Sequence, residues 1–248
     1  MEGGELMLAI IGGSNMQNTF GAALEERFVS TPYASRPVRV EQRQLDNSTC
    51  YFLSRHGRSH ETVAHKVNYR ANVWALKELG VDKVIAGATV GGIDPSLQNG
   101  AFLVPDQILD FTHGRALSFE QTNLEEHFDF TEPFTSELRE VLIQSARESE
   151  LVVKEEGTYV CAQGPRFETA AEIKFYEQIG GTVVGMTLMP EAALARQISL
   201  SYAAFCLVVN PAAGLVPDTI ELGSTAAVSK NADEQLLNWL GRVIERLE

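Results

Sequence analysis

Apolar residues occur along this chain in short unbroken runs, and most runs end at glycine, proline or a polar pair. Residues 8–11 form the first run and lead into Gly12-Gly13-Ser14, the pattern of a buried strand entering a tight turn. Residues 38–44 and 48–54 predict a strand pair with its turn at 45–47. Residues 84–88 predict another buried strand that closes in a glycine-rich turn at Gly91-Gly92. A strand over 102–111 would carry Pro105 at an edge or bulge. Shorter runs at 157–162, 182–186 and 203–209 read the same way. Between them the apolar period changes to that of a helix. Helical spacing runs over 68–80 with Gly80 as C-cap, and over 136–149, 170–178 and 232–247. A helix over 190–198 would open on Pro190-Glu191, a favourable first turn. Residues 112–133 are polar, hold His113, Arg115 and His127, and read as a long loop. Strands alternating with helices predict one α/β domain over residues 1–248, with no internal repeat.

Composition narrows the function. Lys plus Arg is 20 against 33 Asp plus Glu, a formal net charge of −13. So acidic a surface disfavours nucleic acid and anionic membranes, while a local basic pocket can still take phosphate. Cys50, Cys161 and Cys206 are odd in number and widely spaced, which argues against a zinc site or disulfide framework and for a reducing compartment. The first residues are acidic, unlike a signal peptide, and no apolar stretch approaches the ~20 residues that span a bilayer. A cytoplasmic location is expected.

Four segments carry candidate chemistry. Gly12-Gly13-Ser14 lets backbone approach an anion while Ser14 offers a hydroxyl, although the same tripeptide suits an ordinary turn. It lacks the spacing of a dinucleotide site and the lysine of a P-loop. Arg55-His56-Gly57-Arg58-Ser59-His60 places four potentially cationic side chains in six residues after a strand, and arginine suits phosphate oxygens. Its Arg-His-Gly core is also similar to phosphohistidine enzymes, which carry it after their first strand. Phe167 and Glu168 follow Gly164-Pro165-Arg166, a turn able to present an aromatic and a carboxylate to a flat heterocycle. Glu168 equally suits the start of the following helix. Asn210 stands at a strand's C-terminal end, where α/β proteins bind ligands, and its amide both donates and accepts. An Asx-type turn before Pro211 would use the same residue. Together the segments point to an enzyme that cleaves a nucleoside with inorganic phosphate.

Taken in order, these motifs resemble the trimeric purine nucleoside phosphorylase and methylthioadenosine phosphorylase family, from Ile10 to about Asn210. The stretch from Ser54 to Leu79, with His65-Lys66-Val67-Asn68-Tyr69-Arg70-Ala71-Asn72, is most similar to the methylthioadenosine branch, as is Glu132-Pro133-Phe134. The resemblance implies a central mixed, partly barrel-like β-sheet flanked by helices, and a homotrimer. It implies phosphate ligands at Ser14, Arg55, His56 and Thr187, with Thr89 beside them in a turn that departs from the family's usual residues. Met186 would pack under the ribose and Phe167 would stack on the base. His127 would reach a neighbouring subunit's sugar pocket. No metal or organic cofactor is implied.

The departures concern the base and the 5′ end. Relatives that favour 6-aminopurines carry Asp-x-Asp where this chain has Asn210-Pro211-Ala212, and often a Ser where it has Glu168. A 6-oxopurine offers an acceptor O6 and a protonated N1, which suits donation from Asn210 and acceptance by Glu168. Inosine and guanosine phosphorylases place a histidine near the 5′-hydroxyl about fourteen residues after this Asn, a spacing implied by the resemblance. No histidine follows His127 here, and residues 220–228 are largely small or apolar. The expected substrate is therefore S-methyl-5′-thioinosine. The alternatives are an inosine/guanosine phosphorylase, a methylthioadenosine phosphorylase, or a non-catalytic nucleoside-binding module.

Overall fold

The run at residues 8–11 becomes strand β1 (Leu8–Gly12), every residue of which is buried. Its side chains alternate between two cores. Ala9 and Ile11 face one side of the sheet, and Leu8 and Ile10 face the other. The computed structural model describes residues 7–13, 16, 19–20, 22–45, 48–119, 127–217 and 222–248, the last without the side chains of 222–224. Ser14, positions 46–47 of the expected turn and residues 220–221 lie outside the described residues.

Strands β2 (Ala23–Val29), β3 (Val38–Leu45) and β4 (Ser48–Ser54) form an antiparallel meander. After it come helix α1 (Tyr69–Glu78), strand β5 (Lys83–Gly92), and strands β6 (Phe102–Leu103) and β7 (Gln107–Asp110). Helix α2 (Ser136–Glu148), β8 (Val153–Lys154), β9 (Thr158–Cys161) and α3 (Ala170–Gln178) follow. The chain continues through β10 (Gly181–Gly185), α4 (Leu188–Gln197), β11 (Ser201–Pro211), α5 (Leu222–Asn231) and α6 (Asp233–Leu247). Among the described residues the strands make one mixed, eleven-stranded sheet flanked by helices, ordered β2-β3-β4-β1-β5-β10-β9-β7, with β11 joining β5 to β6 and β6 pairing β8. This is the mixed α/β architecture that the sequence leads one to expect.

Three elements differ from their sequence reading. Strand β5 runs on through Gly91-Gly92 instead of turning there, because both glycines pair with β10 on one side and with Asn210 and Pro211 on the other. The single strand expected over 102–111 is two, interrupted at Pro105, whose carbonyl accepts from Arg139 Nε at 2.8 Å. Helix α4 opens with a kink, since Met189 has extended backbone (φ −115°, ψ 136°) and the regular helix starts at Pro190.

The sheet's two faces are covered by different helices. Leu138, Leu142, Leu236, Trp239 and Val243 from α2 and α6 pack on Leu8, Ile10, Phe205 and Leu207, and Trp239 donates its indole N–H to Leu142 O at 2.8 Å. Val73, Leu76 and Leu194 from α1 and α4 pack on Ala9, Ile11, Ala204 and Cys206. The result is a rigid platform in which the parallel strands β1, β4, β5 and β11 all end on one side. Ligands of α/β sheets bind there.

Candidate active site

At the end of β4 the chain turns sharply, and Arg55 N donates to Gly12 O at 3.0 Å, which fastens this turn to the end of β1. The Arg55 side chain then points inward and is fully buried. Its Nε and Nη2 bond the two Glu191 carboxylate oxygens at 2.7 and 2.8 Å, and Nη1 donates to Gly87 O at 2.9 Å. Tyr202 donates its hydroxyl to the same carboxylate at 2.8 Å. Burial works against the charge of Arg55, but Glu191 outweighs it and holds the guanidinium above its ordinary pKa.

His56 follows on the cavity side. Its Nδ1 lies 2.8 Å from Thr62 O, a group that only accepts, so Nδ1 carries the proton. Burial, reinforced by the Arg55 charge, lowers its pKa from 6.5 to about 4. The ring is therefore neutral at physiological pH, with Nε2 left as an acceptor. Only part of the six-residue cluster is thus a cationic patch, because desolvation removes the charge that the sequence allots to His56.

The second wall comes from the exits of β9 and β10. Gly164 adopts φ +66°, and a Cβ there would stand 2.6 Å from Met186 Sδ, so glycine is what lets the two segments touch. Arg166 turns away from the cavity into a two-pronged bond with Glu172, 2.8 Å at each contact. Thr169 and Glu172 form a capping box at the start of α3. With its neighbours held outward, residues 167–168 are presented to the cavity. Phe167 stands at the rim, 42% exposed, and burial raises the Glu168 carboxyl above its ordinary 4.5. From β10, Met186 and Thr187 complete this wall, and Thr187 N donates to the buried Tyr159 hydroxyl at 3.1 Å.

These elements enclose a cavity of about 410 Å³, the size that holds a small organic ligand. His56, Thr89, Phe167, Glu168, Met186, Thr187, Asn210 and Ala212 all line it. An extra residue at Val209 shifts the register of β11 against β5 just before Asn210, whose Nδ2 donates to Pro211 O at 2.6 Å. Other candidates lie elsewhere. Arg55 stands behind the wall rather than in it, Pro211 pairs with Gly92, and His127 is exposed outside the cavity of its own chain. At the remaining rim are His60, Val63, Ala64, Thr225 and Ala226. Among the described residues, no group of three or more His, Cys, Asp or Glu side chains is placed to hold a metal ion, and no helix is long and apolar enough to cross a membrane.

Sequence reasoning missed Glu191. In sequence it reads as a first-turn acid beside Pro190, yet it is fully buried. The available clue was a lone charge inside the apolar run Met186–Ala195, since isolated carboxylates are almost never buried without a partner. Arg115 likewise reads in sequence as part of a polar loop, although its guanidinium reaches the back of both segments of the second wall.

Comparison with known proteins shows the family. A family model described as the phosphorylase superfamily matches residues 7–245. A 6-oxopurine nucleoside phosphorylase of Pyrococcus furiosus is 44% identical over 215 residues, which cover 84% of this chain and 80% of that protein. A probable S-methyl-5′-thioinosine phosphorylase of Pseudomonas syringae is 41% identical over 239 residues, 95% of this chain and 94% of its own. Among solved structures, methylthioadenosine phosphorylase from Schistosoma mansoni in complex with adenine superposes with a TM-score of 0.90 at 29% identity, over 97% of this chain and 91% of that one.

Proposed function

The chain belongs to the phosphorylase superfamily, and from that premise we propose that it carries out reversible phosphorolysis of S-methyl-5′-thioinosine to hypoxanthine and 5-methylthioribose 1-phosphate. It is a pentosyltransferase of the purine nucleoside phosphorylase type. The observation that carries the choice of base is that Asn210, Glu168 and Phe167 line one cavity. A carboxamide and a carboxylate in one desolvated pocket match O6, N7 and N1–H of a 6-oxopurine, and the ring of Phe167 gives a stacking surface.

In this reading phosphate sits against His56, Thr89 and Thr187, with the charge of Arg55 behind, and the family resemblance adds the Ser14 hydroxyl as a further ligand. The dianion HPO4²⁻ attacks C1′, and the C1′–O bond forms as the C1′–N9 bond breaks. The bonding pair leaves with the purine, which takes up the proton that phosphate carried. Asn210 donates to the base as negative charge builds on it, and Glu168 holds N1–H. Neutral His56 accepts from the phosphate hydroxyl. Met186 packs under the sugar, and positioning supplies the rest of the rate. Inorganic phosphate is a co-substrate and no cofactor is used. The working assembly is a homotrimer, in which His127 reaches the sugar end of a neighbour's site. A cytoplasmic setting accords with three free, buried cysteines.

Val63, Ala64 and Ala226 give the remaining rim an apolar character suited to a 5′-methylthio group. His60 lines the same cavity, and this favours as second reading a 6-oxopurine phosphorylase that hydrogen-bonds a 5′-hydroxyl. The ratio of kcat/KM for methylthioinosine, inosine and methylthioadenosine decides. Preference for methylthioinosine supports the proposal, preference for inosine supports the second reading, and preference for methylthioadenosine sinks the assignment of Asn210 and Glu168.

The acid side of the pH profile gives a further prediction. Because burial raises the Glu168 pKa above 4.5, its carboxylate is protonated, and N1–H loses its acceptor, at a pH above that value. The kcat/KM for nucleoside therefore falls on acidification with an apparent pKa above 4.5, and Glu168→Gln flattens that limb. An unchanged limb in Glu168→Gln would assign it to another group.

A further inference from the structure

Arg115 sits between β7 and α2 in a segment without regular structure, and it does not line the cavity. Its guanidinium nevertheless meets both segments that form the second wall. Nη2 donates to Gln163 O at 2.9 Å and more weakly to Ala162 O at 3.4 Å, just beyond β9. Nη1 donates to Met186 O at 2.9 Å and to Met189 O, just beyond β10. Nε reaches Gln163 Oε1 at 3.2 Å, and the guanidinium lies over the ring of Tyr69. Among the described residues no carboxylate pairs with this cation. Its partners are mainly backbone carbonyls at strand exits, where the sheet ladder no longer satisfies them.

We propose that Arg115 is a positioning residue that sets the spacing, within the second wall, between the segment that carries Phe167 and Glu168 and the segment that carries Met186 and Thr187. Residues 162–163 lead into Pro165, Phe167 and Glu168, and residues 186–189 include Met186 and Thr187. A planar fork with fixed donor directions ties the two segments at a set separation, which a flexible point charge does not. The consequence rests on the phosphorolysis reading: Phe167 and Glu168 fix the base, Thr187 fixes the phosphate, and Arg115 fixes one relative to the other. Each ligand keeps its own contacts when Arg115 is changed. The line from phosphate oxygen to C1′ is what degrades.

The test compares Arg115→Ala and Arg115→Lys with the wild-type chain on the nucleoside it turns over best. Both variants are expected to lose ~100-fold in kcat, the scale of a misplacement of about 1 Å, with KM for nucleoside and phosphate changed only a few-fold. Added guanidinium ion at non-denaturing concentration should restore turnover saturably in Arg115→Ala, whose vacated site opens towards solvent. A merely structural role predicts instead a lower melting temperature, unchanged kcat per folded molecule and no guanidinium rescue. Full activity in Arg115→Lys, or kcat near wild type in either variant, overturns the proposal. If Arg115→Ala does not fold, Arg115→Lys decides alone. A wild-type chain that releases no base with phosphate would instead overturn the phosphorolysis reading, and this inference with it.

Discussion

Asn210→Ala lowers kcat/KM for a 6-oxopurine nucleoside by roughly 10²–10³-fold, the usual cost of removing one donor aimed at developing negative charge. The residue stands at the end of the longest strand of the sheet, where the register shift after Val208 brings it to the cavity. As C1′–N9 cleavage proceeds, electron density moves onto the purine, and a neutral donor fixed in the pocket stabilises it more than mobile water would. Because that charge is small in the ground state, the loss should fall more on kcat than on KM for nucleoside. Asn210→Asp sharpens the prediction. It keeps the size of the side chain but turns a donor into a charged acceptor opposed to O6. Its 6-oxopurine activity should fall at least as far as that of the alanine variant, whereas 6-aminopurine nucleosides should suffer less. Steady-state rates on inosine-type and adenosine-type substrates check both. Equal losses on both bases would show that Asn210 acts on the fold and not on base choice.

Glu191→Ala is the most destabilising single change that we expect. Arg55 and Glu191 are both fully buried, and removing the carboxylate leaves the guanidinium with Gly87 O as its one remaining acceptor among the described residues, and the Tyr202 hydroxyl without its acceptor. An uncompensated buried charge costs about 3–5 kcal/mol, which for a chain of this length lowers Tm by roughly 6–20 °C. Glu191→Gln keeps shape and one acceptor, so it should lie between the two. The effect reaches the site as well, because Arg55 N is bonded to Gly12 O and the next residue is His56. Thermal unfolding with a parallel measurement of KM for phosphate tests this. A Glu191→Ala protein as stable as wild type would mean that Arg55 leaves its buried position at little cost, and the ion pair would lose its structural role.

The fold was legible where local chemistry and tertiary demand agree. Strands β1 and β11 are apolar runs because both of their faces are covered, and α3 announces itself through the Thr169–Glu172 capping box. Strand β2 escaped notice because it lies at the sheet's edge, with Leu24 and Phe28 59% and 65% exposed and no buried face to impose a period. Gly91-Gly92 read as a turn because the sequence cannot show that two other strands arrive to pair with it. Helix α5 was missed because Leu-Gly-Ser-Thr-Ala-Ala-Val-Ser-Lys-Asn mixes small and polar residues without a strong apolar stripe. The candidate site divides in the same way. Phe167, Glu168, Met186, Thr187 and Asn210 stand in motifs at strand exits and meet in one cavity. The neutral His56, the buried Glu191 partner of Arg55 and the reach of Arg115 depend on desolvation and on segments distant in sequence. No local pattern encodes those.

In the proposed reaction phosphate, not water, breaks the glycosidic bond. Hypoxanthine release from methylthioinosine or inosine, followed with and without inorganic phosphate while the sugar product is identified by phosphorus NMR, tests it most directly. No release is expected without phosphate and, with it, one sugar 1-phosphate forms for each hypoxanthine. Release that proceeds equally without phosphate, or nucleoside binding with no release in either condition, would contradict it.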